Sequence, residues 1–267
     1  MRSANTACKL VDLGVSWLWM GLESPQAGYS KLQGSDTRKL THELREHGIR
    51  VQGSTIIGLE HHTLDNIVSE IEHAVSHNTD FHQFMLYTPV PGTPLYQQMQ
   101  EEGRMLSGVD FADVHGQFKF NFKHAAISRD DSKRFLDWAF WRDFEANGPS
   151  LYRIARTLLA GFRHYKDWPD PRVRQRFTHE MQRLNGVYSS ALWAMERQFR
   201  KVNRDVSEQI QELREEFRRE ASVTSRVLPA VLGPVLLWTT RREEKRLARG
   251  KTYEPPTILE RRNWVEA

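Results

Sequence analysis

From Val15 to Pro94 the chain alternates between a period of two and a period of 3.6, and that alternation limits the folds open to it. Three stretches, "VSWLWMGLES" from Val15, "IRVQGSTIIGLE" from Ile49 and "FHQFMLYTPV" from Phe81, are rich in β-branched or aromatic residues and end in turn-forming residues. Between them, "DTRKLTHELREHG" places Leu40 and Leu44 on one helical face and closes with Gly48 as a left-handed cap. "TLDNIVSEIEHAVSHN" places Ile67, Ile71, Ala74 and Val75 at helical spacing behind Thr63 as N-cap and ends at Asn78. The order strand, helix, strand, helix, strand predicts an α/β fold with a parallel sheet or barrel.

In such folds ligands meet the C-terminal ends of the strands, here "GLES", "IGLE" and "YTPVPGTP". Glu23 and Ser24 follow the first strand. Gly58 permits close backbone approach to a ligand, with Glu60 two residues on. "PGTP" also has a local explanation: Pro91 and Gly92 suit the centre of a type II turn, Thr93 caps the next helix, and Pro94 suits its first position. That helix should stop at Gly103.

Together, in this order, the three strand ends over residues 1–105 resemble the second half of a radical S-adenosylmethionine enzyme barrel, its fourth to sixth strands. The branch with an N-terminal cobalamin-binding domain is the most similar. The resemblance implies a partial (β/α) barrel over residues 1–127 and a mostly helical, basic extension over 128–267. It implies S-adenosylmethionine contacts from Glu23, Ser24, Ile56, Gly58 and Tyr87, and a substituent at Gly58 that weakens ligand binding more than stability. Ser54 stands where the family has a glycine and His61 where it has an acid, so Glu60 is left unassigned. A 4Fe-4S cluster, with cobalamin as a further cofactor, is implied for a full-length protein. The cluster-binding CxxxCxxC segment is absent from this sequence, so no cluster is expected on this chain alone and S-adenosylmethionine only weakly. The implied partners are the missing barrel half, or a subunit supplying it, and a small-molecule substrate for radical chemistry. An edge strand without its inner neighbour, "VSWLWMGLES", predicts self-association. The alternative is a non-catalytic binding module: a remnant half barrel whose basic helices meet a protein partner or an anionic surface.

The remaining features set the surroundings. With 267 residues and 39% hydrophobic content the chain can bury a real core. The single cysteine, Cys8, rules out a disulfide framework within the chain and fits a reducing, cytoplasmic setting; it reads as a small buried hydrophobe. "MRSANTACKLVDLG" carries no signal-peptide pattern. Residues 1–150 hold 14 Lys+Arg against 19 Asp+Glu, net −5, and residues 151–267 hold 24 against 15, net +9. The basic half could meet an acidic partner, nucleic acid or an anionic membrane surface, but solvated amphipathic helices account for the asymmetry better. His73 and His77 stand four apart without a third ligand, so no metal site is assigned, and Asp130 and Asp131 read as helix-start charges.

Beyond Ser128 the pattern is helical. Phe135, Trp138 and Trp141 form an aromatic stripe that reads as core, as do Leu151, Ile154, Leu158 and Phe162. A charged helix or helix pair spans about 172–221, with Val202, Val206, Ile210, Leu213 and Phe217 as a narrow seam for a partner. The apolar run from Val227 to Trp238, broken by Pro229, Gly233 and Pro234, is too short to span a bilayer. It either lies peripherally in a membrane interface or, the better fit, docks into a hydrophobic groove.

Overall fold

The computed structural model describes residues 2–23, 36–220 and 223–250 of the chain. Three strands, β1 (Trp17–Gly21), β2 (Arg50–Ile57) and β3 (Phe81–Leu86), form a parallel sheet in the order β1-β2-β3. Nine helices are described: α1 (Arg2–Asp12), α2 (Thr37–Glu46), α3 (Ile67–Val75), α4 (Pro94–Glu101), α5 (Arg129–Asn147), α6 (Ser150–Tyr165), α7 (Pro171–Phe199), α8 (Arg204–Arg219) and α9 (Val223–Leu247). The fold is therefore α/β with a helical second half. Among the described residues the sheet is open, and half a barrel is not what they form.

Local chemistry sets most boundaries. Asp36 caps α2 by accepting from Lys39 N–H, and Gly48 ends it at φ +72. The PGTP turn forms as its residues dictate. Gly92 takes φ +86, the Thr93 hydroxyl accepts from Tyr96 N–H, and Pro94 opens α4, after which Gly103 stops the chain at φ +66. Ser128 caps α5, with Asp130 and Asp131 in its first turn. At α3 the expected Thr63 cap gives way to Asn66. The Asn66 amide bonds both Thr63 N–H and His61 C=O, tying the preceding turn so that the helix begins three residues later.

Alternate residues of each strand point to opposite sides. Met20, then Val51, Gly53, Thr55 and Ile57, then His82, Phe84 and Leu86 turn toward helices α2, α3, α5 and α6 and are buried. Two apolar clusters lie on that side. Ile57, Phe84 and Leu86 pack with Ile67, Ile71, Phe120, Phe122 and Leu136; Met20, Leu22 and Val51 pack with Leu44, Ile49, Tyr165 and Phe177. The core thus continues from the sheet into α5 and α6. Asp80, fully buried before β3, fastens the layers: its carboxylate accepts from Val51 N–H at 2.8 Å, from the Thr157 hydroxyl at 2.6 Å and from Arg45 Nε at 3.2 Å.

A third cluster joins Leu158, Leu159, Met181, Leu192, Ile210, Leu213 and Phe217 between α6, α7 and α8. This corrects the seam expected to await a partner. Ile210, Leu213 and Phe217 are consumed inside the chain, and Val202 lies exposed in the link between α7 and α8. The aromatic stripe of α5 divides similarly, with Phe135 and Trp138 against the core and Trp141 exposed. The Val227 to Trp238 run is not broken by its prolines: α9 continues through Pro229 and Pro234. An interior proline costs roughly 3 kcal/mol. Packing along α7 offsets it, and Gly233 lies so close to the Trp193 ring that a Cβ would sit 2.7 Å from it. None of the described helices is long and apolar enough to cross a membrane.

Candidate functional site

Among the described residues the other side of the sheet carries no helical layer. The strand register sets its side chains in rows: Trp19, Gln52 and Phe81; then Gly21, Ser54 and Gln83; then Ile56 and Met85. Trp19 is 62% and Trp17 43% exposed, whereas Gln52, Ser54, Ile56, Gln83 and Met85 are half-buried. Gln52 donates to Gln83 Oε1 at 3.3 Å, so an aromatic row borders a polar one and a Met/Ile row lies nearest the strand ends. The edges differ too. Beyond β3, Leu86 N–H donates to Gly116 C=O at 2.8 Å and the Gln117 amide to Phe84 C=O at 2.7 Å. Among the described residues β1 pairs with β2 alone.

Glu23 is the unusual group at this face. Its carboxyl folds back over Gly21, where a Cβ would lie 2.9 Å from Oε2, and Oε2 is buried without a hydrogen-bond partner among the described residues. Only a glycine at position 21 leaves room for that posture. A buried unpaired carboxyl oxygen costs on the order of 1–3 kcal/mol, so a ligand donor that reaches it recovers the loss. Ser24 lies outside the described residues.

The end of β2 is a compact histidine-held turn. Gly58 takes φ +84 with the Phe120 ring against it, 2.2 Å from where a Cβ would be, which gives this glycine a packing reason. The cost expected to fall on ligand binding at Gly58 therefore falls on stability. His62 Nδ1 accepts from Gly58 N–H at 2.9 Å and Leu59 N–H at 3.2 Å, and His124 Nε2 lies 3.2 Å from Leu59 C=O. Burial first, then the neighbouring His61 and His124, push the His62 pKa down to about 4. The ring is neutral, so its proton sits on Nε2, which faces Glu70 Oε2 at 4.0 Å.

His61, His62 and Glu70 bring three ligand atoms within 4.8 Å of one another, the spacing of a small metal site. Coordination through His62 Nε2 would move its proton to Nδ1, against two backbone N–H donors. The cluster is a structural clamp. His77 is similarly committed, with Nε2 2.8 Å from the Thr37 hydroxyl and Nδ1 2.9 Å from His73 C=O, so the His73 and His77 pair grips no ion. Glu60 forms a surface ion pair with Arg104 at 3.1 Å. Ile56 lies on the uncovered face opposite Met85, and Tyr87 turns its ring edge-on to Phe122. Cys8 is half-buried in α1, 3.9 Å from His47 Nδ1.

The structure therefore gathers Glu23 and Ile56 around one face and sets Gly58 and Tyr87 at the strand ends beside it. Gly21, Gln52 and Gln83 went unassigned in the sequence. Their signal was the polar half of the alternation in "VQGST" and "FHQFM".

No protein-family model matches the chain. Two curated proteins of Chlorobaculum tepidum are similar to it. Bacteriochlorophyllide d C-12(1)-methyltransferase is 25% identical over 118 residues, 44% of this chain and 25% of its own length. Bacteriochlorophyllide d C-8(2)-methyltransferase is 24% identical over 137 residues, 49% of this chain and 29% of its own length. The chain spans between a quarter and a third of these relatives. They correct the radical S-adenosylmethionine resemblance: both relatives are methyltransferases by name, and neither name supports an iron-sulfur cluster or cobalamin. The strand-end motifs that carried the resemblance have local causes here, in the Phe120 contact at Gly58 and the capped turn at PGTP.

Proposed function

We propose that this chain contributes the S-adenosylmethionine-binding face of a methyltransferase, with the uncovered side of the sheet as the ligand surface. The observation that carries the reading is Glu23: a buried carboxyl oxygen with no partner among the described residues, beside half-buried Ser54 and Gln83 toward the C-terminal side of a parallel sheet. Such an oxygen fits the ammonium group or the ribose hydroxyls of the cofactor. When bound, S-adenosylmethionine supplies an electrophilic methyl group. The chain's own residues orient it: Glu23 accepts a hydrogen bond, Gly21 keeps that carboxyl in place, Ser54 and Gln83 offer further polar contacts, and Ile56 and Met85 exclude water. The similarity to methyltransferases supports the reading over the matched part of the chain.

Equilibrium dialysis against S-adenosylmethionine tests it. Binding is expected, with a loss of about tenfold or more in Glu23→Ala, the size of one hydrogen bond to a charged group, and a melting temperature that does not fall. No binding, or equal binding by the variant, refutes it. A second reading, a non-catalytic module completed by another polypeptide, draws on the exposed Trp17 and Trp19 beside the outer edge of β1. It requires self-association or capture of an added strand that Glu23→Ala leaves unaltered.

A further inference from the structure

α9 has two faces with different occupants. Pro229, Leu232, Gly233, Leu236 and Leu237 turn toward α7, where Gly233 meets the Trp193 ring. On the opposite side Val227, Val231, Val235 and Trp238 succeed one another at spacings of four, four and three, all exposed, Val231 at 68% and Trp238 at 61%. The same line continues on α9 through Arg242 and Lys245, with Arg249 in the turn that follows the helix, all three exposed, and the Arg242 guanidinium lies 5.5 Å from the Trp238 ring centre. Both acids of this segment are engaged elsewhere: Glu243 pairs with Arg246 and Glu244 accepts from the Gln198 amide. The outward line is therefore apolar at its first four positions and cationic at the next three, with tryptophan at the junction.

We propose that this face seats α9 in the plane of an anionic phospholipid surface. Valines and Trp238 would enter the headgroup boundary, and Arg242, Lys245 and Arg249 would meet lipid phosphates. Three observations select this occupant. The cations have charge complementarity with an anionic surface, in a half of the chain that carries net +9, 24 Lys+Arg against 15 Asp+Glu. Among the described residues attachment along α7 leaves the opposite side of α9 free, which suits lying on a bilayer, and α9 does not meet the length and hydropathy of a crossing helix. A second copy fits poorly: antiparallel pairing lays Arg242 and Lys245 on the valines, and parallel pairing sets the cations against one another. The proposal is independent of S-adenosylmethionine binding.

Flotation of the full chain with vesicles tests it, since aggregates do not float. Phosphatidylcholine vesicles containing phosphatidylglycerol should carry the protein upward, pure phosphatidylcholine vesicles should not, and added salt should weaken the effect. Arg242→Gln, Lys245→Gln and Arg249→Gln combined should lower partitioning on the order of 100-fold. Val231→Asp should lower it about tenfold or more. Both variants change the exposed side only and should keep the circular dichroism spectrum and melting curve. Equal binding to neutral and anionic vesicles, absence of flotation, or undiminished flotation of the triple variant overturns the proposal. So does a stable dimer in light scattering that Val231→Asp abolishes, which would assign the face to a second copy.

Discussion

The two sides of the sheet are made by the same three strands and meet opposite fates. On the covered side every side chain from Val51 to Leu86 is buried, and its polar members are committed: His82 bonds the Thr55 hydroxyl, and Asp80 bonds three donors from three parts of the chain. On the uncovered side Gln52 and Gln83 are half-satisfied by one another, Trp19 stands in solvent, and Glu23 holds a buried oxygen with no partner among the described residues. Polar groups that are fully paired hold a fold together, whereas a polar group left short of a partner is where a ligand gains binding energy. The comparison separates residues that should respond in stability from those that should respond in binding.

The largest expected effect is acid unfolding of the covered layer. Burial, named first among the causes in each case, lowers the pKa of His62, His77 and His82 from 6.5 to about 4. The folded state keeps all three neutral, while the unfolded chain takes up protons below pH 6.5, so stability is full above that value and is lost as pH falls toward 4. Each site contributes up to about 1.4 kcal/mol per pH unit across that window. Circular dichroism at successive pH values should show cooperative loss of structure between 6.5 and 4. Retention of the fold at pH 4 would mean that the histidines are accessible, and the contrast between the two sides would fail.

Next in size is Asp80→Ala. Removing this carboxylate leaves Arg45, the Thr157 hydroxyl and Val51 N–H without their acceptor, and losing one member of a buried ion pair costs about 3–5 kcal/mol. Urea denaturation measures it. A loss below about 1 kcal/mol would show that water replaces the carboxylate and that the base of the covered layer is wet.

The parallel α/β order was legible because strand and helix periods differ, and the turn at PGTP was legible because each residue there has one conformational preference. What escaped depends on contacts between distant residues. Gly58 is held open by Phe120, 62 positions on; the seam of α8 is filled by α6 and α7; and α9 runs through two prolines because α7 supports it. Sequence pattern marks a surface as apolar without saying what covers it. For the site, the alternation of β2 and β3 already sorted Gln52, Ser54 and Gln83 onto one side, but Glu23's fold over Gly21 is a side-chain posture that no periodicity encodes.

Gly58→Ala should cost less than Asp80→Ala but remain a stability effect. Its Cβ would fall 2.2 Å from the Phe120 ring at a φ of +84, combining overpacking of about 1–3 kcal/mol with the penalty for a left-handed alanine. Thermal melting reads it directly. An unchanged melting temperature accompanied by weaker S-adenosylmethionine binding would return Gly58 to the ligand surface and shift the boundary between the two sides.

The smallest stability change belongs to Trp19→Lys, and it is the sharpest test of the uncovered side. Trp19 sits on the strand whose outer edge has no partner among the described residues, and more than half of its surface meets solvent. Little burial is lost on substitution, so the folded state should change by no more than about 0.5 kcal/mol. Association is another matter. An apolar, unpaired edge strand invites another strand, and an edge lysine opposes that by charge and by the cost of desolvating its ammonium group. Light scattering at micromolar concentration should show self-association in the parent chain and its reduction in Trp19→Lys, with superimposable melting curves. Should Trp19→Lys instead lower the melting temperature as far as Asp80→Ala does, then Trp19 is packed inside the protein and both sides of the sheet are core.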